Sequence, residues 1–299
     1  MNNALNGKSA ITCIRRDLTL EEVNNFGLVL SASNIAFRSV AYQDRWSLWV
    51  REEDQFEADL ALYQYQLENE DQPRRPTSVE AGWGRTGQSW AGVWAALFLG
   101  VCHISVSSSG KAEEIVRAFN ASAEAILNGE YYRTATALLL HADWGHLMSN
   151  MVGIALFGTV VCLRLGYGLG LLAILVTAMA GNMLNAMVYQ SGHHSIGAST
   201  AVFSALGIVS MLQAVIRWRD PAKRKWCWLP PAAALALLAF LGASLKTDIL
   251  AHFWGLLCGM VAGLMLEWII QQPLKVDRQN LCLVLVALVL AGSWITGLQ

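Results

Sequence analysis

Long apolar runs fill the chain beyond residue 88, and shorter mixed patterns fill the part before it. The apolar runs are Ser89–Val106, Leu147–Leu165, Leu169–Tyr189, Ala201–Ile216, Leu229–Leu245, Ile249–Ile270 and Leu281–Leu298. Most approach the roughly 20 residues that a helix needs to cross a bilayer, whereas a strand crosses in about 10. The fourth is short, but Gly197–Thr200 extend it. Backbone polar groups in lipid must pair within their own segment, so these runs predict helices. Before them, Leu18–Leu30 has helical spacing, with Thr19 as N-cap ahead of Glu21 and Glu22. Ala36–Tyr42 and Arg45–Val50 alternate across Gln43-Asp44, which predicts a β-hairpin. Glu52–Leu67 reads as an amphipathic helix, and the charged, proline-broken stretch Asn69–Thr77 marks a boundary. The fold expected is an all-α polytopic membrane bundle with a small N-terminal α+β domain. Its parts are the domain over 1–72, a linker over 73–88, a six-helix core over 89–270 and a seventh helix over 271–299. The loop Ser107–Ala142 is long for a bundle, and Ala112–Leu127 within it reads as an amphipathic helix lying in the membrane interface.

Composition agrees. The chain is 55% hydrophobic and 14% charged, too apolar for an ordinary soluble domain. A formal net charge of -1 gives no basis for a nucleic-acid partner. Met1–Leu20 is polar and lacks the apolar core of a signal peptide, so the first ~80 residues are expected to stay in the cytoplasm. The cysteines at 13, 102, 162, 227, 258 and 282 form no CxxC pair. Neither a metal site nor a disulfide framework is expected. Arg74, Arg75 and Arg85 precede the first span; Arg217, Arg219, Lys223, Arg224 and Lys225 follow the fourth; Lys275 and Arg278 follow the sixth. Alternating spans place all three groups on one side, the cytoplasm. The heads of the second, fourth and sixth spans then lie near the outer face, and these heads carry His146, Ser199 and His252.

Polar groups at such depth are costly and by default mark function. Ser199 in Gly197-Ala198-Ser199 supplies a hydroxyl, and His252 supplies an imidazole. A serine within reach of a histidine is the minimum kit for acyl transfer. Taken singly, Ser199 reads as a packing or backbone-bonded serine, and His252 reads equally as a satisfied interior histidine. Ala251, Gly255, Gly259 and Gly263 make one smooth helix face, and Gly197, Ala201 and Ala205 another. Such faces let two helices approach closely in a membrane. His146 and Asn150 are four apart and share a face, and both can donate hydrogen bonds to an oxyanion.

These residues resemble the rhomboid intramembrane serine proteases. H-x4-H-x3-N falls at His141, His146 and Asn150; G-x-S falls at Gly197 and Ser199; A-H-x-x-G-x-x-x-G falls at Ala251, His252, Gly255 and Gly259. Tyr132-Arg133 matches the aromatic-Arg pair of the first outer loop. The resemblance covers roughly Ser89–Ile270, and a seventh helix after the core is similar to the 6+1 arrangement of some members. The N-terminal segment looks like the small cytosolic domain of some bacterial members. The resemblance implies a Ser199 nucleophile, a His252 base, and an oxyanion hole from His146, Asn150 and the Ser199 N–H. It implies that His141 braces the first outer loop and that Phe203 packs on the catalytic imidazole. No cofactor and no metal are implied. The implied partners are transmembrane protein substrates and membrane lipids, in a multi-pass protein of a bacterial inner membrane with the site toward the outer face.

One departure stands out. The family motif continues with glycine, and here Thr200 follows Ser199. A β-branched residue is bulkier and stiffer there, which alters the oxyanion loop, the substrate preference or the activity itself. Two rival readings follow: an inactive relative that binds transmembrane clients, and a small transporter. The second calls for ionisable residues within several spans and for internal repeats, and neither is evident. Asp248, four residues before His252, either orients the imidazole or caps the sixth helix. His193 and His194 are either surface loop histidines or groups that tune the site's response to pH. His103 reads as an interfacial residue.

Overall fold

The computed structural model describes residues 10–42, 45–70, 89–242, 248–270 and 274–299. The Gln43-Asp44 turn, the 73–88 linker with its arginines, and Lys246-Thr247 lie outside the described residues. The chain divides into two units, Met1–Ser78 and Val79–Gln299.

In the first unit, β1 (Ile11–Leu18), α1 (Leu20–Ala32), β2 (Phe37–Tyr42), β3 (Arg45–Arg51) and α2 (Gln55–Glu70) follow in order. The sheet is antiparallel, ordered β1-β3-β2. The expected hairpin pairs Phe37 with Val50 and Tyr42 with Arg45. Thr19 caps α1: its hydroxyl accepts from the Glu22 N–H, and the Glu22 carboxylate accepts from the Thr19 N–H. Leu30, Leu48, Val50 and Leu62 fill the core. Hydrophobic alternation does not announce β1. Register shifts at Cys13/Arg15 and Arg15/Leu18 break the period of two there.

The second unit is helical: α3 (Ala91–Ser107), α4 (Ala112–Phe119), α5 (Ala123–Leu127), α6 (Arg133–Thr136), α7 (Trp144–Leu165), α8 (Tyr167–Tyr189), α9 (Ser199–Arg219), α10 (Leu229–Gly242), α11 (Ile249–Ile269) and α12 (Val276–Gly297). Helices α7, α8, α9, α11 and α12 are long and apolar enough to cross a membrane. Helix α3 has 17 residues, and α10 has 14 before the chain leaves the described residues. The chain is thus a polytopic helical membrane protein.

The single helix expected over Ala112–Leu127 is two helices. Asn120 is extended, with ψ 161°, and ends α4. Ala121-Ser122 (β4) then pair with His194-Ser195 (β5), and Ser122 caps α5. Arg133 holds this break by donating to the carbonyls of Arg117 and Asn120. The same guanidinium, 2.6 Å from Glu130, holds that carboxyl below the usual range, helped by the Tyr132 hydroxyl.

Helices α9 and α11 pack backbone to backbone. A Cβ added at Gly255, Gly259 or Gly263 would strike the carbonyl oxygens of Thr200, Ser204 and Ile208. The α11 face is the one expected, but its partner on α9 is not the face of Gly197, Ala201 and Ala205. Those two alanines are buried in the bundle core with Leu147 and Ala178. At the opposite end of the bundle from Ser199, Glu267 is buried between Arg164 of α7, at 2.6 Å, and Arg219 of α9, at 3.0 Å.

Helix α12 is fastened at two places. Buried Gln279 accepts from the N–H groups of Gly168 and Leu169, both at 2.9 Å, and donates to the Leu165 carbonyl at 2.8 Å. It therefore satisfies the open N-terminus of α8 and the open C-terminus of α7 together. Near the far end of α12, Trp294 stacks on Phe119 of α4, 4.2 Å between centroids.

Candidate active site

The loop before α9 is held residue by residue. The His193 carbonyl accepts from the Ala123 N–H at 3.0 Å, and β5 pairs with β4. The Gly197 N–H donates to the Ala137 carbonyl at 2.9 Å. The Ala198 N–H donates to His141 Nε2 at 3.3 Å. Burial, then the neighbouring His146 and His103, push His141 down to about 4, so at neutral pH its imidazole is uncharged and able to accept. His141 thus braces the loop that carries Ser199.

Gly197 has φ +126°, a region glycine favours. A Cβ there would lie 2.5 Å from His146 Nε2 and 3.5 Å from Asn150 Nδ2. Glycine therefore lets both donors come up against the loop beside Ser199. Ser199 is the first residue of α9, where the backbone N–H groups of the opening turn have no partner within the helix.

His252 sits in the first turn of α11, buried, with its ring stacked on Phe203 at 4.6 Å and 25°. Ser199, His252, His146, Asn150 and Phe203 line one cavity of ≈ 760 Å³. Asn150 Nδ2 and His252 Nδ1 are buried with no hydrogen-bond partner among the described residues. Buried polar atoms are rarely left so. Gly255 and Gly259 do not line the cavity; they seat α11 on α9 behind it. Among the described residues no hydrogen bond joins Ser199 to His252; such contacts often tighten only when substrate is bound.

Three further residues find defined places. Asp248 does not reach His252. Its Oδ1 accepts from the Ala251 N–H at 3.1 Å and caps α11, while its Oδ2 lies 2.6 Å from His193 Nε2 and accepts from Asn185 Nδ2 at 2.8 Å. Thr200 donates to Asn182 Oδ1 at 2.9 Å, and Asn182 Nδ2 donates to the Thr134 carbonyl at 2.9 Å. The hydroxyl that replaces the motif glycine is thus engaged with Asn182 of α8, which in turn holds α6. His103 is buried against Trp144 and His141, near the end of α3. Sequence reading missed Asn182 and Asn185; the only signal for them is two asparagines within an apolar span.

A hydroxyl, an imidazole and the Asn150 amide thus line one cavity in a helical membrane protein. A family model described as "Rhomboid domain" matches residues 128–269. Over these residues the chain is similar to the rhomboid family. It is 31% identical over 141 residues to "Rhomboid-like protease 3" of Toxoplasma gondii, covering 47% of this chain and 53% of that protein. It is 29% identical over 154 residues to "Rhomboid-like protein 11, chloroplastic" of Arabidopsis thaliana, covering 48% and 53%. It is 27% identical over 134 residues to "Putative rhomboid protease YdcA" of Bacillus subtilis (strain 168), covering 45% and 66%. The match spans about half to two thirds of the length of these curated relatives.

Proposed function

We propose that this chain is an intramembrane serine endopeptidase that cuts transmembrane segments of client membrane proteins. One observation carries the reading: Ser199, His252, His146 and Asn150, drawn from separate motifs, line one cavity. Ser199 Oγ attacks the client carbonyl as His252 takes its proton. Asn150 Nδ2, His146 and the Ser199 N–H hold the oxyanion. His252 then gives the proton to the departing amine, and water, again deprotonated by His252, releases the acyl group from Ser199. Unpaired Asn150 Nδ2 is a donor in want of an acceptor, as this role requires. A client helix has to open first, because its own hydrogen bonds shield the peptide bond, so Gly or Pro near the cut favours cleavage.

The basic residues Arg217 and Arg219 in the last turn of α9, with Lys223, Arg224 and Lys225 after it, support a reading with that end of the bundle in the cytoplasm of a bacterial cell and Ser199 toward the outer face. A fluorophosphonate probe that cannot cross membranes, applied to intact cells, tests site and orientation together. Wild type is expected to label and Ser199→Ala not to. Labelling of both would place the nucleophile elsewhere; labelling of wild type only after lysis would reverse the orientation.

A further inference from the structure

We propose that His193 and Asp248 are positioning residues: their pair latches the loop carrying Ser199 onto the head of α11, which carries His252. The inference rests on the reading that Ser199 and His252 react together, and it says what aligns them.

The loop's other fastenings all lead away from α11. His193 O, Gly197 N–H and Ala198 N–H bind Ala123, Ala137 and His141 of the first outer loop. The Thr200 hydroxyl binds Asn182 of α8. Ser204 of α9 does bind the Gly255 carbonyl at 3.1 Å, but this lies more than a turn below Ser199. At the level of the reacting groups, the bond from loop to α11 is His193 Nε2 to Asp248 Oδ2, at 2.6 Å. Two contacts hold the imidazole to this task. Tyr189 stacks on it at 3.8 Å and 7°, and Asn185 shares the same carboxylate oxygen. The pair is sheltered, with side chains 21% and 13% exposed, and lines the same cavity as Ser199. A sheltered charge-assisted bond is worth more than an exposed pair.

The latch matters because, among the described residues, no carboxylate bonds to His252. In a triad the acid holds the imidazole in place. Here the nearby acid instead ties the helix head that bears the imidazole to the loop that bears the hydroxyl. The two oxygens of Asp248 divide the work: Oδ1 caps α11 and Oδ2 makes the latch. Asparagine caps a helix as well as aspartate does. Asp248→Asn therefore keeps the cap and replaces the latch oxygen with a group that cannot accept.

The test uses the purified full chain, a transmembrane peptide client, and kcat and KM measured separately. Asp248→Asn and His193→Ala are each expected to lower kcat by about tenfold, with KM within about twofold, a coupling in the range seen for residues in contact. His193→Gln, whose amide can still donate to Oδ2, is expected to recover most of that loss. The double variant Asp248→Asn/His193→Ala is expected to be no worse than the poorer single variant. Independent, multiplying losses would overturn the latch, as would full kcat in His193→Ala. A loss near 10⁴ in Asp248→Asn would also overturn it, since that is the cost of a missing triad acid. Should His193→Ala not fold, the comparison of His193→Gln with Asp248→Asn decides: Gln as poor as Asn, in folded protein, contradicts the latch. Ser199→Ala measured alongside separates the two levels. If it cleaves, the underlying reading has failed; if it is dead while His193→Ala is fully active, only the latch has failed.

Discussion

Asn150 is buried with its Nδ2 unpaired, one turn from His146 and close to Gly197. Leaving a donor without an acceptor costs stability, and an oxyanion in the cavity would satisfy it. Asn150→Ala is therefore expected to lower kcat by roughly 10²–10³ while leaving KM within a few fold, because the bond strengthens as charge develops. Weaker client binding with an unchanged kcat would remove Asn150 from this role. At this scale much of the site is legible in the sequence. Ser199, His252, His146 and Asn150 stand in short motifs whose spacing alone puts them at helix heads or on one helix face. What is not legible is pairing between motifs. Asp248 is four residues from His252, yet its carboxylate turns to His193, 55 positions away. The backbone of the 190–198 loop decides that, and residue spacing does not encode it.

Among the elements, α12 stands apart. Its residues are largely exposed, but Gln279 is buried and bonded to the junction of α7 and α8, and the neighbouring Asn280 accepts from the Tyr167 hydroxyl. Gln279→Leu removes three hydrogen bonds and strands the buried Gly168 N–H and the part-buried Leu169 N–H at the start of α8. Each such loss costs about 1 kcal/mol or more, and each kcal/mol moves the thermal midpoint by about 2–4 °C in a domain of this size. A fall of roughly 5–10 °C in the midpoint of the purified protein is expected; an unchanged midpoint would mean that α12 is held by its apolar face alone. The apolar helices were readable because length and hydropathy suffice for them. Strand β1 and the break at Asn120 were not, because bulges erase the first from the alternation and a distant guanidinium, Arg133, stabilises the second. The glycine face of α11 was readable, but not which face of α9 receives it. Small residues line α9 on more than one side, and the alanines among them serve the core instead.

At the scale of the whole molecule, the bundle brings two helix heads together at one end and a buried ionic knot, Arg164–Glu267–Arg219, at the other. Close glycine packing between α9 and α11 joins these ends, so Ser199 and His252 ride on a stiff pair of helices. A cavity lined by polar and apolar residues lies at their heads, which suits hydrolysis just inside a membrane. The measurement that bears most directly on this account is cleavage of a transmembrane client in liposomes that contain only the purified protein. Wild type is expected to yield two discrete client fragments, identified by mass. Ser199→Ala and His252→Ala, folded and inserted to the same extent, are expected to yield none. Fragments from the Ser199→Ala protein, or a wild type that binds the client and leaves it whole, would contradict the assignment of a serine-histidine protease.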